Sequence, residues 1–207
     1  NVFDKEWDLL IILDACRVDM LDDVSGDYEF LSDGGSIASV GSSTGEWLPK
    51  TFTEGYVDRI RETAYVTANP YTQAVFGGDS VEESPVGAPL TMTVYPALAE
   101  HTVSASDFAL LDGVWKDGWD DELGTVPPRT VTERAIAAHR RVAPERMIVH
   151  YMQPHQPFIG GDAPLGAESI DDDMESVWHS LRAGNVSEEQ IRTAYERNLR
   201  HVLDDVG

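Results

Sequence analysis

The feature that most constrains the fold is an uninterrupted apolar run, Leu9–Leu13, that ends at Asp14. Five Leu and Ile residues without polar alternation are typical of a strand buried on both faces, as in parallel sheets covered by helices. Residues 36–40, 63–67 and 146–152 are predicted to form further strands. The sequence therefore predicts an α/β layer whose strands run parallel.

Helical patterns lie between these strands. Thr130 is expected to cap a helix over residues 131–142, and a capping box beginning at Ser187 is expected to open a helix that ends near Leu203. Segments 77–89 and 160–173, rich in Gly, Pro, Ser and acidic residues, are expected to be surface loops. Together these elements predict a three-layer α/β sandwich with a mostly parallel central sheet, forming one domain over residues 1–207.

The charge is strongly negative. The chain has 37 acidic against 15 basic residues, for a net charge of -22, and only three of the basic residues are lysines. Such a surface repels phosphate backbones and anionic lipids, so nucleic acid is excluded as a partner. At molar salt the Debye length falls to about 3 Å, so the surface carboxylates are screened from one another and stay hydrated. A salt-rich cytoplasm is therefore the expected location; an ordinary acidic protein is the alternative.

Cysteine content and hydropathy add two expectations. Cys16 is the only cysteine, so no internal disulfide can form, which suits a reducing interior. The longest apolar run, Leu9–Leu13, is too short to cross a bilayer, so we expect no membrane insertion. The chain opens with Asn1 rather than Met, so the natural N-terminus is expected to lie upstream.

Three features fall where strands are predicted to end, the edge at which α/β sheets bind ligands. The first is Asp14. A carboxylate directly after a buried strand is costly to desolvate, so it should meet a cation, a metal or backbone N–H groups. The alternative is an N-cap for a helix starting near Arg17. Cys16 is expected to be a small buried filler.

The second feature is a turn of small residues, 41–45, that includes Ser43 and Thr44. A hydroxyl at a helix N-terminus lies where the helix dipole and free N–H groups stabilise an alkoxide or a bound oxyanion. The turn also fits G-x-S-x-G, the nucleophile elbow of α/β-hydrolases, although it comes early in the chain for that fold. Helix capping by Ser42 or Ser43 is the non-catalytic alternative.

The third feature is His155, which lies between Pro154 and Pro157 just after the last predicted strand. Flanking prolines restrict the loop, so the imidazole is expected to be held rigidly at the sheet edge. A rigid imidazole is what a phosphate or metal site requires.

In this order, the features resemble the alkaline-phosphatase superfamily, in its sulfatase-like branch. Its members have an apolar first strand ending in a metal-binding Asp, here Asp14. A Ser, Thr or Cys nucleophile follows at a helix start, here Ser43 or Thr44, and later a His-x-Pro loop, here at His155. Segments 68–71 and 115–120 resemble segments of halophilic members of this branch. We assign no chemical role to either segment.

The resemblance implies a metal-dependent hydrolase or transferase of small-molecule phosphate or sulfate esters. Ser43, Thr44 and His155 would be catalytic, and Asp14 with Ser43 would bind Mn²⁺, Zn²⁺, Ca²⁺ or Mg²⁺. Sulfatases follow the nucleophile with x-Pro-x-Arg, which is missing after Ser43, so an unmodified hydroxyl is expected. The family also completes its metal site with an Asp-His pair, and this sequence has none, so the chain is expected to be truncated or unable to bind metal with the usual ligands.

Two other functions stay open at this stage. One is a metal-free serine hydrolase that uses Ser43 as an elbow nucleophile, and the other is a catalytically inactive fragment or binding module. The organic part of the substrate and the oligomeric state are left open.

Overall fold

The computed structural model describes residues 1–32, 34–77, 101–161, 165 and 177–207. Within these ranges one all-parallel sheet has the order β1-β4-β2-β3. The strands are β1 (Leu9–Leu13), β2 (Thr63–Thr67), β3 (Leu110–Gly113) and β4 (Arg146–Tyr151). The helices are α1 (Val18–Ser25), α2 (Thr44–Thr51), α3 (Val57–Arg61), α4 (Tyr71–Phe76), α5 (Trp115–Gly118), α6 (Pro128–Val142), α7 (Val177–Arg182) and α8 (Glu188–Val206). Single 3-10 turns occupy Val2–Asp4, Glu54–Tyr56 and Ala105–Asp107.

Helices cover both faces of the sheet because the side chains of each strand alternate between them. On one face, Val66 and Val149 pack in an apolar cluster with buried residues of α1, α6 and α8. On the other face, Tyr65 and Ile148 pack with α2, α3 and α4. The predicted three-layer α/β sandwich is confirmed.

Strands β1, β2 and β4 lie where they were predicted, and the Ser187–Gln190 capping box opens α8 as expected. The expected burial of β1 on both faces is wrong, because β1 is an edge strand whose Leu9 is exposed and whose other residues are half-buried. Helix α6 begins at Pro128, earlier than predicted, with Pro127 as N-cap. A proline fits the first helical turn because its N–H would be unsatisfied there and its φ is already helical. Thr130 therefore lies inside the helix instead of capping it.

The strand predicted at residues 36–40 is wrong. These residues form no ladder, and Ile37 is 54% exposed. Two serines and an alanine offer little apolar surface to bury, and Ile37 stays exposed, so pairing gains little against its entropic cost. The strand that sequence reasoning missed is β3, a short edge strand ending in Asp112 and Gly113.

The predicted loop 77–89 lies outside the described residues beyond Gly77, and most of 160–173 also lies outside them. In the described part of the chain, no helix is long and apolar enough to cross a membrane.

Candidate functional site

Three polar side chains meet at the carboxyl edge of the sheet, where β1, β2 and β4 end. His150 is the penultimate residue of β4 and pairs in register with Thr67 at the end of β2. Asp14 follows β1 directly, and its N–H donates to Tyr151 O at 3.1 Å, which continues the parallel ladder by one residue. Asn69 follows β2 by two residues. This is the edge at which sheets of this class bind ligands.

Asp14 is largely buried, with 15% of its side chain exposed, and it is held by two neighbours. Asn69 Nδ2 donates to Asp14 Oδ2 at 2.7 Å, and His150 Nε2 lies 3.7 Å from the same oxygen. The amide of Asn69 is oriented because its Oδ1 accepts the N–H of Tyr71 at 2.9 Å. The second oxygen of Asp14, Oδ1, makes no hydrogen bond within the described residues, so it is available to a ligand.

Burial and polar neighbours act in opposite directions on Asp14. Desolvation by burial raises the pKa of the carboxyl group, whereas the proximity and charge of His150, the charge of His155 and the bond from Asn69 lower it. The neighbours prevail and the pKa lies below its ordinary value. A nearly buried carboxylate is therefore ionised at neutral pH, which is the state that binds a cation. Asp14 does not act as the N-cap of α1, because that position belongs to Arg17.

His150 is anchored from behind by a fully buried tyrosine. The His150 Nδ1 lies 2.8 Å from the Tyr65 hydroxyl oxygen. The planes of the two rings are nearly parallel, and their centroids are 6.2 Å apart. In the neutral form of His150, a hydrogen on Nε2 is favoured because this atom faces the Asp14 carboxylate, which leaves Nδ1 to accept from Tyr65 O–H. Tyr65, His150, Asp14 and Asn69 thus form one connected polar chain.

Helix α2 packs over this chain. The Trp47 ring lies 6.4 Å from His150 near the carboxyl edge, and Phe52, one residue beyond α2, stacks on Tyr65 at 5.1 Å, further back along the sheet. The first turn of α2, with Ser43 as N-cap and Thr44 as first residue, therefore points toward the carboxyl edge.

Neither of these two hydroxyls has a hydrogen-bond partner in the part of the chain that the structure describes. Ser43 is exposed, and its side chain does not cap α2. Ser42 differs because its N–H and Oγ both bind Glu46 Oε2 at 2.9 Å. Hydrogen bonds from Lys50 and from Ser42 lower the pKa of Glu46 to about 2. Ser42 thus stabilises the turn, while Ser43 and Thr44 are free to react or to bind.

The His155 loop joins the Asp14 turn through the backbone. The N–H of His155 donates to Asp14 O at 3.1 Å and to Met152 O at 2.9 Å. The side chain is exposed, and Nδ1 lies 2.6 Å from Gln156 O. A carbonyl only accepts, so Nδ1 carries the hydrogen. In neutral His155, Nε2 is consequently unprotonated and can accept a proton or bind a cation.

A divalent ion would find only part of a coordination shell here. Among the described residues, no three His, Cys, Asp or Glu side chains converge as metal ligands. Asp14 Oδ1, the hydroxyls of Ser43 and Thr44 and His155 Nε2 are the available donors, whereas hard cations take about six oxygens and zinc about four ligands. A stable metal site would need further ligands.

Cys16 is not suited to act as a nucleophile. It is partly buried against the apolar core, and burial raises the pKa of its thiol to about 11. A thiol of this kind stays protonated at neutral pH and is a poor nucleophile. This agrees with the expectation of a structural role.

Sequence reasoning placed Asp14 and His155 at the strand ends but missed Asn69, His150 and Tyr65 as parts of the site. Asn69 does follow a predicted strand by two residues, and this position was a usable signal. His150 and Tyr65 lie inside strands, and only the tertiary structure brings them together across 85 positions of chain. Comparison with protein-family models, curated proteins and solved structures finds no match for this chain.

Proposed function

We propose that this chain is a hydrolase or transferase of small-molecule phosphate or sulfate esters that acts through the hydroxyl of Ser43 or Thr44. The observation that carries the proposal is Asp14, a nearly buried carboxylate kept ionised at the carboxyl edge of the sheet. The first turn of α2, with two unpartnered hydroxyls, points toward this edge. An anionic ester oxygen would be stabilised by the free N–H groups of that turn.

In the proposed reaction the hydroxyl oxygen attacks phosphorus or sulfur. The bond from this oxygen forms, the bond to the organic alcohol breaks, and the alcohol leaves with a proton. Water or an acceptor alcohol then releases the phosphoryl or sulfuryl group. Neutral His155 can accept the proton of the nucleophile at Nε2, and its protonated form can deliver one to the leaving alcohol.

The proposal includes a divalent ion, Mn²⁺, Zn²⁺, Ca²⁺ or Mg²⁺, with Asp14 and Ser43 among its ligands. Such an ion would stabilise an ionised hydroxyl and the charge on the ester oxygens. It would also offset the repulsion between an anionic substrate and a chain of net charge -22. The same charge supports a salt-rich cytoplasmic setting and argues against nucleic acid as substrate.

Two observations weigh against a metal-free serine hydrolase. A nucleophile elbow places its serine directly after a strand in a strained turn. Residues 36–40 form no strand, and Ser43 has an ordinary extended backbone with φ of -139°.

The test is hydrolysis of nitrophenyl phosphate and nitrophenyl sulfate in multimolar KCl with added Mn²⁺ or Zn²⁺. Removing the nucleophile, by Ser43→Ala or Thr44→Ala, should lower kcat at least about a hundredfold. Ser42→Ala is the matched control, since this neighbouring hydroxyl is bound to Glu46, and it should keep most of the activity.

Three results would contradict the proposal. Loss of activity in Ser42→Ala alone would place the chemistry elsewhere. Hydrolysis of nitrophenyl acetate without metal, abolished by Ser43→Ala, would identify a serine hydrolase. No reaction with any of these esters by the folded chain would favour a catalytically inactive fragment or binding module.

A further inference from the structure

One face of α8 carries two polar side chains that the proposed chemistry does not use, Tyr195 and Asn198. They are three residues apart and so lie on the same side of the helix. Asn198 is fully buried, and Tyr195 is partly buried between two apolar clusters. Each binds a different loop of the candidate site.

Tyr195 holds the Asp14 turn from both sides of Ala15. Its hydroxyl donates to Ala15 O at 2.9 Å and accepts the N–H of Arg17 at 2.7 Å. Ala15 has φ of 57°, a left-handed conformation in which its Cβ lies close to the following carbonyl oxygen. The turn that follows Asp14 is thus strained, and the two bonds to Tyr195 keep it in place.

Asn198 holds the His155 loop. Its Nδ2 lies 3.2–3.4 Å from the carbonyl oxygens of Pro154, His155 and Pro157. Its Oδ1 accepts the N–H of Ile159 at 3.0 Å. At Gly160 the loop backbone lies so close to α8 that an added Cβ would clash with the Arg197 carbonyl. The loop is therefore fixed along its length to the helix.

The two held segments also meet each other, because the N–H of His155 donates to Asp14 O. We infer that Tyr195 and Asn198 are positioning residues: together they fix the Asp14 turn and the His155 loop relative to one another. The catalytic consequence of this inference rests on the proposed function, since a displacement of about 1 Å between reacting groups can cost about a hundredfold in rate. The positioning itself can be measured without substrate.

The test compares Tyr195→Phe and Asn198→Asp with wild type by amide hydrogen exchange and by the ¹H–¹⁵N NMR signal of His155. Both variants keep the shape of the side chain and remove donors. Losing these hydrogen bonds should speed exchange of the His155 amide about tenfold and shift its NMR signal. Where turnover is measurable, Tyr195→Phe should lower kcat by a similar factor and leave KM within about twofold.

Tyr28→Phe is the matched control. This hydroxyl also binds α8, through Asp204 Oδ1 at 3.0 Å, but at the far end of the helix. It should leave the His155 signal and exchange unchanged. A merely structural role for Tyr195 would lower global stability in both tyrosine variants without a local effect at His155.

Unchanged exchange at His155 in Tyr195→Phe, or an equal change in Tyr28→Phe, would overturn the inference. A rise in KM with kcat intact would do the same. If Asn198→Asp does not fold, Tyr195→Phe decides alone. If the nitrophenyl esters do not react while His155 exchange responds as expected, the proposed function fails and the positioning stands.

Discussion

Removing the Tyr65 hydroxyl should destabilise the protein more than its size suggests. In Tyr65→Phe the ring keeps its place, stacked on Phe52 at 5.1 Å, and only the oxygen is lost. That oxygen lies 2.8 Å from His150 Nδ1, and both side chains are at most 2% exposed. The substitution therefore leaves a nitrogen acceptor buried without a partner and out of reach of water.

An unsatisfied buried acceptor costs about 1–3 kcal/mol. For a domain of this size each kcal/mol lowers the melting temperature by about 2–4 °C, so a central cost of about 2 kcal/mol predicts a decrease of about 4–8 °C. In a His150→Leu background the same substitution should cost less, because the unpaired nitrogen is gone.

The assay is thermal and denaturant unfolding in multimolar KCl, with Tyr56→Phe as the control. The Tyr56 hydroxyl binds Asp4 Oδ1 at 2.7 Å in an exposed position, so its removal should cost no more than about 0.5 kcal/mol. If Tyr65→Phe is no more destabilising than Tyr56→Phe, the hydroxyl does not anchor His150, and the connected polar chain behind Asp14 is refuted.

Three other predictions concern pH, salt and metal. The pKa of folded Asp14 is lowered, so its charge stabilises the fold above the unfolded pKa of about 4, and this contribution is lost as pH falls through the folded value. The difference in unfolding free energy between wild type and Asp14→Asn should therefore shrink below about pH 4 in acid titrations, and a gap that widens would contradict the assignment. The net charge of -22 predicts widely different melting temperatures in low and multimolar KCl, and equal ones would remove the halophilic interpretation. The 207-residue chain should bind Mn²⁺, Zn²⁺ or Ca²⁺ weakly in calorimetry and turn over nitrophenyl esters slowly, and tight stoichiometric binding abolished by Asp14→Ala would show that a fuller ligand set is present.

The strands could be predicted where they produce a clear apolar pattern in the sequence. The run that forms β4 is largely apolar without alternation because this inner strand is buried on both faces. The run that forms β1 is equally apolar, yet this strand lies at the edge of the sheet, with Leu9 exposed and the other four residues half-buried. Strand β3 has only a weak apolar pattern, because it is a four-residue edge strand that contains Asp112 and Gly113. Residues 36–40 have a strand-like sequence pattern but form no strand, and Ile37 stays exposed there.

The site could be predicted only where chemistry follows a strand end. Asp14 and His155 were found in this way, and Asn69 was within reach of the same reasoning. His150 was hidden inside an apolar strand, and its significance depends on Tyr65 and Asp14, which are distant in sequence. The packing of the strands determines which side chains contact the Asp14 carboxylate. A single sequence gives no direct signal for these contacts.

The proposed function requires that Ser43 or Thr44 is a nucleophile. Intact-protein mass spectrometry after acid quenching of the chain with nitrophenyl phosphate or nitrophenyl sulfate tests this most directly, because a covalent intermediate can accumulate even where turnover is slow. We expect one added phosphoryl or sulfuryl group, mapped to Ser43 or Thr44 and lost in the corresponding alanine variant. A group mapped to any other residue, or no adduct with either ester in the folded, metal-supplemented protein, would contradict it.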